Sequence, residues 1–151
     1  MSKSVPDLDA LLAAAQATPD DAEVATRLAR ALAAAGRHEE AARAWDRVAA
    51  LRPSDVTPQY NGTMARHRAG RRVEARAEMA VLTRRFPETP AVWNTLGTFH
   101  MEAGAVIAAE EAFSEALRLE PDHAQASANL AAARSYRGDT AGATRVLLGA
   151  F

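Results

Sequence analysis

Apolar residues run along this chain in stretches of helical length, and the stretches are closed in turn by a glycine and by a proline. A glycine tolerates the left-handed backbone that ends a helix, and a proline cannot continue one. The pattern therefore predicts helix, tight turn, helix and break, over and over. The interval is fixed. Gly36, Gly70, Gly104 and Gly138 stand 34 residues apart, as do Pro53, Pro87 and Pro121 and the alanines Ala41, Ala75, Ala109 and Ala143. Stacked helix-turn-helix units have a period of this length, because each unit is too small to bury its own apolar face and must pack on its neighbours.

The period divides the chain into full repeats at 22–55, 56–89 and 90–123 and a shorter final one at 124–151. Residues 1–21 read as a leading half-repeat, in which Leu8, Leu11 and Leu12 with the alanines between them form the stripe of one helix ahead of Pro19. About nine helices follow, one leading and then four antiparallel pairs, in a single all-α domain spanning 1–151. The small column Ala41, Ala75, Ala109 and Ala143 marks where paired helices approach closely, and the bulky column Trp45, Met79, Phe113 and Leu147 is expected to fill the space beside it. Capping oxygens are expected from Asp20 and Asp21, Ser54 and Asp55, Thr89 ahead of Pro90, and Asp122.

The third repeat carries Trp93, Leu96, Gly97, Ala109, Phe113, Ala116 and Pro121, with His100 at the offset of a tyrosine. The first keeps Leu28, Ala29, Leu32, Ala41, Trp45, Val48 and Pro53, and the fourth keeps Leu130, Ala131, Ala143, Leu147 and Ala150. The second is the loosest, with Gly62, Thr63 and Arg66 in the Leu, Gly and Tyr columns. In these columns the chain resembles the tetratricopeptide repeat family. The resemblance implies a right-handed α-solenoid whose first helices line a concave groove for an extended peptide.

The columns that the resemblance turns toward that groove are Arg27, Asn61, Thr95 and Asn129; Thr26, Tyr60, Asn94 and Ala128; Arg30, Met64, Thr98 and Ala132; and Ala33, His67, Met101 and Ser135. An asparagine amide both donates and accepts, so Asn61 and Asn129 suit a peptide backbone whatever its sequence. Arg27 and Arg30 suit a carboxylate, and Tyr60, Met64 and Met101 offer adaptable apolar contact. A family subtype grips acidic chaperone tails with lysines, asparagines and an arginine. Thr26, Arg30, Asn61, Ala91 and Thr95 depart from that clamp and disfavour such an adaptor.

The formal net charge of -1 hides an uneven distribution. Arg71, Arg72, Arg76, Arg84 and Arg85 make the second repeat a positive island, and Glu110, Glu111 and Glu115 make the matching helix of the third repeat acidic. An Arg76–Glu110 pairing that sets the register of neighbouring repeats is the plain expectation, and docking of an acidic partner the sharper one. Nucleic acid is disfavoured, since the island is short and lacks interleaved aromatics.

No nucleophile motif or phosphate-binding glycine loop is present, and His38, His67, His100 and His123 fall at no metal-ligand spacing. His67 and His100, on the first helices of adjacent repeats, are the one pair placed to approach each other. The expectation is a protein without catalysis, cofactor or metal. There is no cysteine and no apolar run of membrane-spanning length, and acidic residues stand where a secretory signal would be apolar, so a cytoplasmic location is expected.

Two places stand out. Gly62 inside a helix costs about 1 kcal/mol relative to alanine, which is tolerable as repeat degeneracy or as a site where a partner or neighbouring helix comes close. The segment ending Val146, Leu147, Leu148 and Phe151 lacks a polar cap and is expected to leave apolar surface for a homodimer or another partner. The sequence reads as a protein-interaction scaffold binding a peptide or protein in its groove. The alternative is a recruiting or dimerisation module of a larger protein, an enzyme included.

Overall fold

In a computed structural model, residues 7–150 are described, and they form nine helices with no strand among them. These are α1 (Leu8–Ala17), α2 (Ala22–Ala34), α3 (His38–Leu51), α4 (Val56–Arg68), α5 (Arg72–Arg85), α6 (Pro90–Glu102), α7 (Val106–Leu119), α8 (Ala124–Tyr136) and α9 (Thr140–Leu147). The chain divides within α5 into two compact units, Met1–Ala75 and Arg76–Phe151.

The turn inside each repeat is closed by a repeated pair of backbone bonds. The Gly36 N–H reaches Ala33 O at 3.1 Å and the Arg37 N–H reaches Leu32 O at 2.9 Å, with Gly36 at φ +74°. Gly70 repeats this at φ +90°, bonding His67 O while Arg71 bonds Arg66 O. These bonds satisfy carbonyls that the helix end leaves without a partner.

Helix starts are capped by Asp7, Asp21, Asp55 and Asp139, whose carboxylates accept first-turn N–H groups. Two expectations change here. Thr89 makes no side-chain cap bond, and the fixed φ of Pro90 starts α6 instead. The cap of α8 is His123, whose Nδ1 accepts from Ala126 N at 3.2 Å, rather than Asp122.

In the first unit, Leu11, Leu28, Leu32, Trp45 and Val48 pack with small residues, and Ala29 and Ala41 are fully buried. The second unit buries Phe113, Leu117, Leu130 and Val146 around Ala109 and Ala116. The small column is buried in every repeat, and so are Trp45, Met79 and Phe113 of the bulky one. Leu147 departs from that column. It is 66% exposed, because no helix beyond α9 is present among the described residues to cover it, and Val146 turns inward in its place.

Two repeats reach the same bond with different residues. Trp93 Nε1 donates to Pro87 O at 2.8 Å, and Gln59 Nε2, one period earlier, donates to Pro53 O at 3.0 Å. Either side chain ties a first helix to the proline turn preceding it.

Candidate functional site

In the first unit, α2 and α4 carry the predicted groove residues. Arg27 and Arg30 are exposed on α2, and neither makes an ion pair among the described residues. Arg30 and Ala33 of α2, Trp45 of α3 and Tyr60, Asn61 and Met64 of α4 line a pocket of about 340 Å³. Trp45 is almost fully buried and gives it an aromatic wall, while Asn61 and Met64 are half-buried. Arg68, which the sequence reading passed over, also lines this pocket. His67 is half-buried on α4 and is not among its lining residues. Thr26 is buried and donates its hydroxyl to Ala22 O.

Gly62 belongs to packing in this unit. It is buried, and a Cβ added there would meet Trp45 Cβ and Arg66 Nη1 at 3.3 Å, so the space is taken by α3 and by the helix's own arginine. Arg66, in the tyrosine column, pairs with Asp46 of α3 and lies 3.9 Å from Glu74. The start of the arginine island is likewise tied up internally. Arg71 holds Glu74 at 2.6 Å and Glu39 at 3.2 Å, and its pKa is raised chiefly by the bond to Glu74.

In the second unit, α6 and α8 bring three amides together. Asn129 Nδ2 donates to Asn94 Oδ1 at 3.0 Å, and Gln125 Nε2 donates to Asn129 Oδ1 at 3.0 Å. This arrangement leaves the Asn94 amide nitrogen without a protein partner among the described residues. Gln125 escaped the sequence reading, because its part depends on reaching Asn129 one turn along α8. Thr98 donates to Asn94 O at 3.2 Å. Thr95 is buried, and Met101 is half-buried against the core of this unit.

His100 takes the tyrosine position of this unit. Its Nδ1 is shielded from solvent and has no hydrogen-bond partner among the described residues. Burial lowers its pKa, the charge of Arg76 lowers it further, and Glu111 opposes both. The expected Arg76–Glu110 pairing is replaced. Glu110 instead accepts from Arg137 Nε at 2.8 Å, with Arg134 Nε at 3.9 Å, because α8 brings those guanidinium groups to it.

At the far end Val146 is buried, a correction to its expected place on an open face, while Leu147 and Leu148 are exposed. Phe151 lies outside the described residues. Among the described residues no group of three His, Asp or Glu side chains is placed to hold a metal, and no helix is long and apolar enough to cross a membrane.

The tetratricopeptide repeat profile matches residues 2–56 and 65–124, most of the chain. The chain belongs to the tetratricopeptide repeat family. Its fold is the all-helical solenoid of that family, a fold of protein-interaction scaffolds. Protein FlbA of Caulobacter vibrioides is 33% identical over 132 residues, covering 87% of the chain. The chain spans only 22% of FlbA's length. Among solved structures, MamA superposes with a TM-score of 0.82 at 16% identity over 95% of this chain and 84% of its own. MamA from residue 41 onward of Desulfovibrio magneticus RS-1 gives 0.80 at 20% identity, over 95% and 81%. A tetratricopeptide repeat protein of Parabacteroides merdae gives 0.79 at 18%, over 93% and 56%. At these identities the likeness is one of fold.

Proposed function

We propose that this chain is a non-catalytic cytoplasmic scaffold that holds an extended peptide of a partner protein against its first helices. The observation that carries the reading is the amide set on α6 and α8. Asn129 and Gln125 orient Asn94, whose nitrogen is left to meet a peptide carbonyl. Fixed donors of this kind bind a main chain without selecting its side chains. In the first unit, Asn61 offers the same chemistry beside Tyr60, Met64 and the aromatic wall of Trp45, which accepts a peptide side chain. Arg27 and Arg30 bias the choice toward an acidic peptide.

Affinity capture from native extract tests this reading, comparing the wild type with an Asn61→Ala, Asn129→Ala chain. A partner retained by the first and lost by the second supports it, and partners held equally by both remove it. The exposed Leu147 and Leu148 favour a second reading, in which the chain is a recruiting or dimerising module of a longer protein. Concentration-dependent dimerisation abolished by Leu148→Glu would support that alternative.

A further inference from the structure

The chain has two tryptophans, and they differ in how their N–H groups are met. Trp93 Nε1 donates to a turn carbonyl, whereas Trp45 Nε1 makes no hydrogen bond among the described residues. A buried indole N–H ordinarily finds an acceptor. Trp45 is only 5% exposed, yet its nitrogen is not sealed from solvent as His38 Nδ1 and His100 Nδ1 are. Packing does not call for a donor at this place, since Met79 and Phe113 fill the same column without one. The side chain borders the pocket of about 340 Å³ on α2, α3 and α4, through which an acceptor from outside can reach it.

The charged groups of that pocket have one sign. Arg30 from α2 and Arg68 from α4 line it, and none of its lining residues is acidic. Arg68 is exposed and, like Arg30, makes no ion pair among the described residues. Asn61, Met64 and Arg68 follow at spacings of three and four and so share one face of α4. The Asn61 amide, also without a partner among the described residues, adds a neutral donor to the two cations. Ala33, Met64 and Ala65 leave the rest of the lining apolar. Such a surround suits an anion carried on a slender apolar stem, with the methylenes against Met64 and the alanines and the charged end taking the hydrogen bonds.

We propose that this pocket selects the bound peptide by a glutamate side chain, whose carboxylate accepts from Trp45 Nε1 and the Asn61 amide between Arg30 and Arg68. The inference rests on the peptide-binding reading above and narrows it, making Trp45 and Arg68 specificity residues. A chain-terminal carboxylate fits poorly, because it sits directly on the main chain and has no stem to carry it to an indole so little exposed.

The test reads the indole N–H itself. In ¹H–¹⁵N spectra of the full chain, Trp45 and Trp93 supply the indole resonances, and Trp45→Phe tells them apart. The probe is the peptide acetyl-Ala-Ala-Glu-Ala-Ala-amide, compared with the same peptide carrying Gln for Glu and with acetyl-Ala-Ala-Ala, whose only carboxylate is terminal. The glutamate peptide should move the Trp45 resonance downfield and saturably while Trp93 stays in place. Arg68→Gln, at an exposed position, should weaken that response at least about threefold, with the unmoved Trp93 resonance reporting that the fold is kept. Asn129→Ala, in the other unit, should leave it unchanged. The proposal is overturned if Trp45 does not respond, if the glutamine peptide or the terminal carboxylate moves it equally, or if Arg68→Gln has no effect. Capture of a partner from extract is read separately, so a failed titration removes the selectivity of this pocket and a failed capture removes the peptide-binding reading.

Discussion

The ring of Phe113 occupies the space where a side chain at Gly97 would begin. A Cβ built on Gly97 falls 2.4 Å from Phe113 Cε1 and 2.5 Å from Cδ1, so the ring from α7 packs directly on the backbone of α6. Phe113 is fully buried and cannot swing aside. Gly97→Ala should therefore destabilise the protein by about 1–3 kcal/mol through overpacking, even after the gain of about 1 kcal/mol in helix propensity. Urea denaturation measures this, and a stabilised variant would refute the packing account.

Gly62→Ala should behave differently. The added methyl meets Trp45 Cβ and a flexible arginine tip at 3.3 Å, a fit that requires small adjustments rather than expulsion of a ring. Strain and helix propensity then oppose each other at similar size, and the expected change lies within about 1 kcal/mol of zero. The same denaturation assay checks it, and a loss as large as that of Gly97→Ala would show that α3 and α4 cannot yield.

The Asn129–Asn94 bond should be measurable as a coupling. Asn129→Ala is expected to cost about 0.5–1.5 kcal/mol, and a double-mutant cycle with Asn94→Ala should return a pairwise energy of several tenths of a kcal/mol. An additive cycle would mean that the two amides do not bond in solution.

His100 predicts a pH dependence. Its folded pKa lies below the ordinary value because of burial and Arg76, with Glu111 opposing. The unfolded chain therefore takes up the proton first. The associated stability is present above the unfolded pKa of about 6.5 and is lost as pH falls through the folded value. His100→Tyr, which restores the family's aromatic at that column, should flatten the fall in stability below about pH 7, measured by urea midpoints across pH. An unchanged profile would place the titration elsewhere.

Much of the fold was legible because it depends on residues with few substitutes. A left-handed turn leaves little choice but glycine at positions such as Gly36, and a close helix approach little choice but alanine at Ala41. Positions where chemically different residues give one result were harder to read. Nothing in the sequence marks Gln59 as the counterpart of Trp93, although both donate to the carbonyl of a turn proline. The cap of α8 was misplaced by one residue because Asp122 and His123 both carry acceptors, and only backbone direction decides between them. For the candidate site, the helices bearing Asn61, Asn94 and Asn129 followed from the period. The burial of Thr95 depended on local packing.

The turn at Gly70 has a consequence for chirality. Its backbone lies at φ +90°, and a Cβ added there would find nothing within 4 Å. The demand at this position is on handedness and not on size. An L-residue would be strained there although its Cβ would have room, whereas for D-alanine positive φ is the natural basin. Introduced by chemical ligation, it should stabilise the protein by about 0.4–1 kcal/mol by restricting the unfolded chain. The glycine that makes the repeat recognisable in a natural sequence thus fills a place that suits the mirror-image amino acid better.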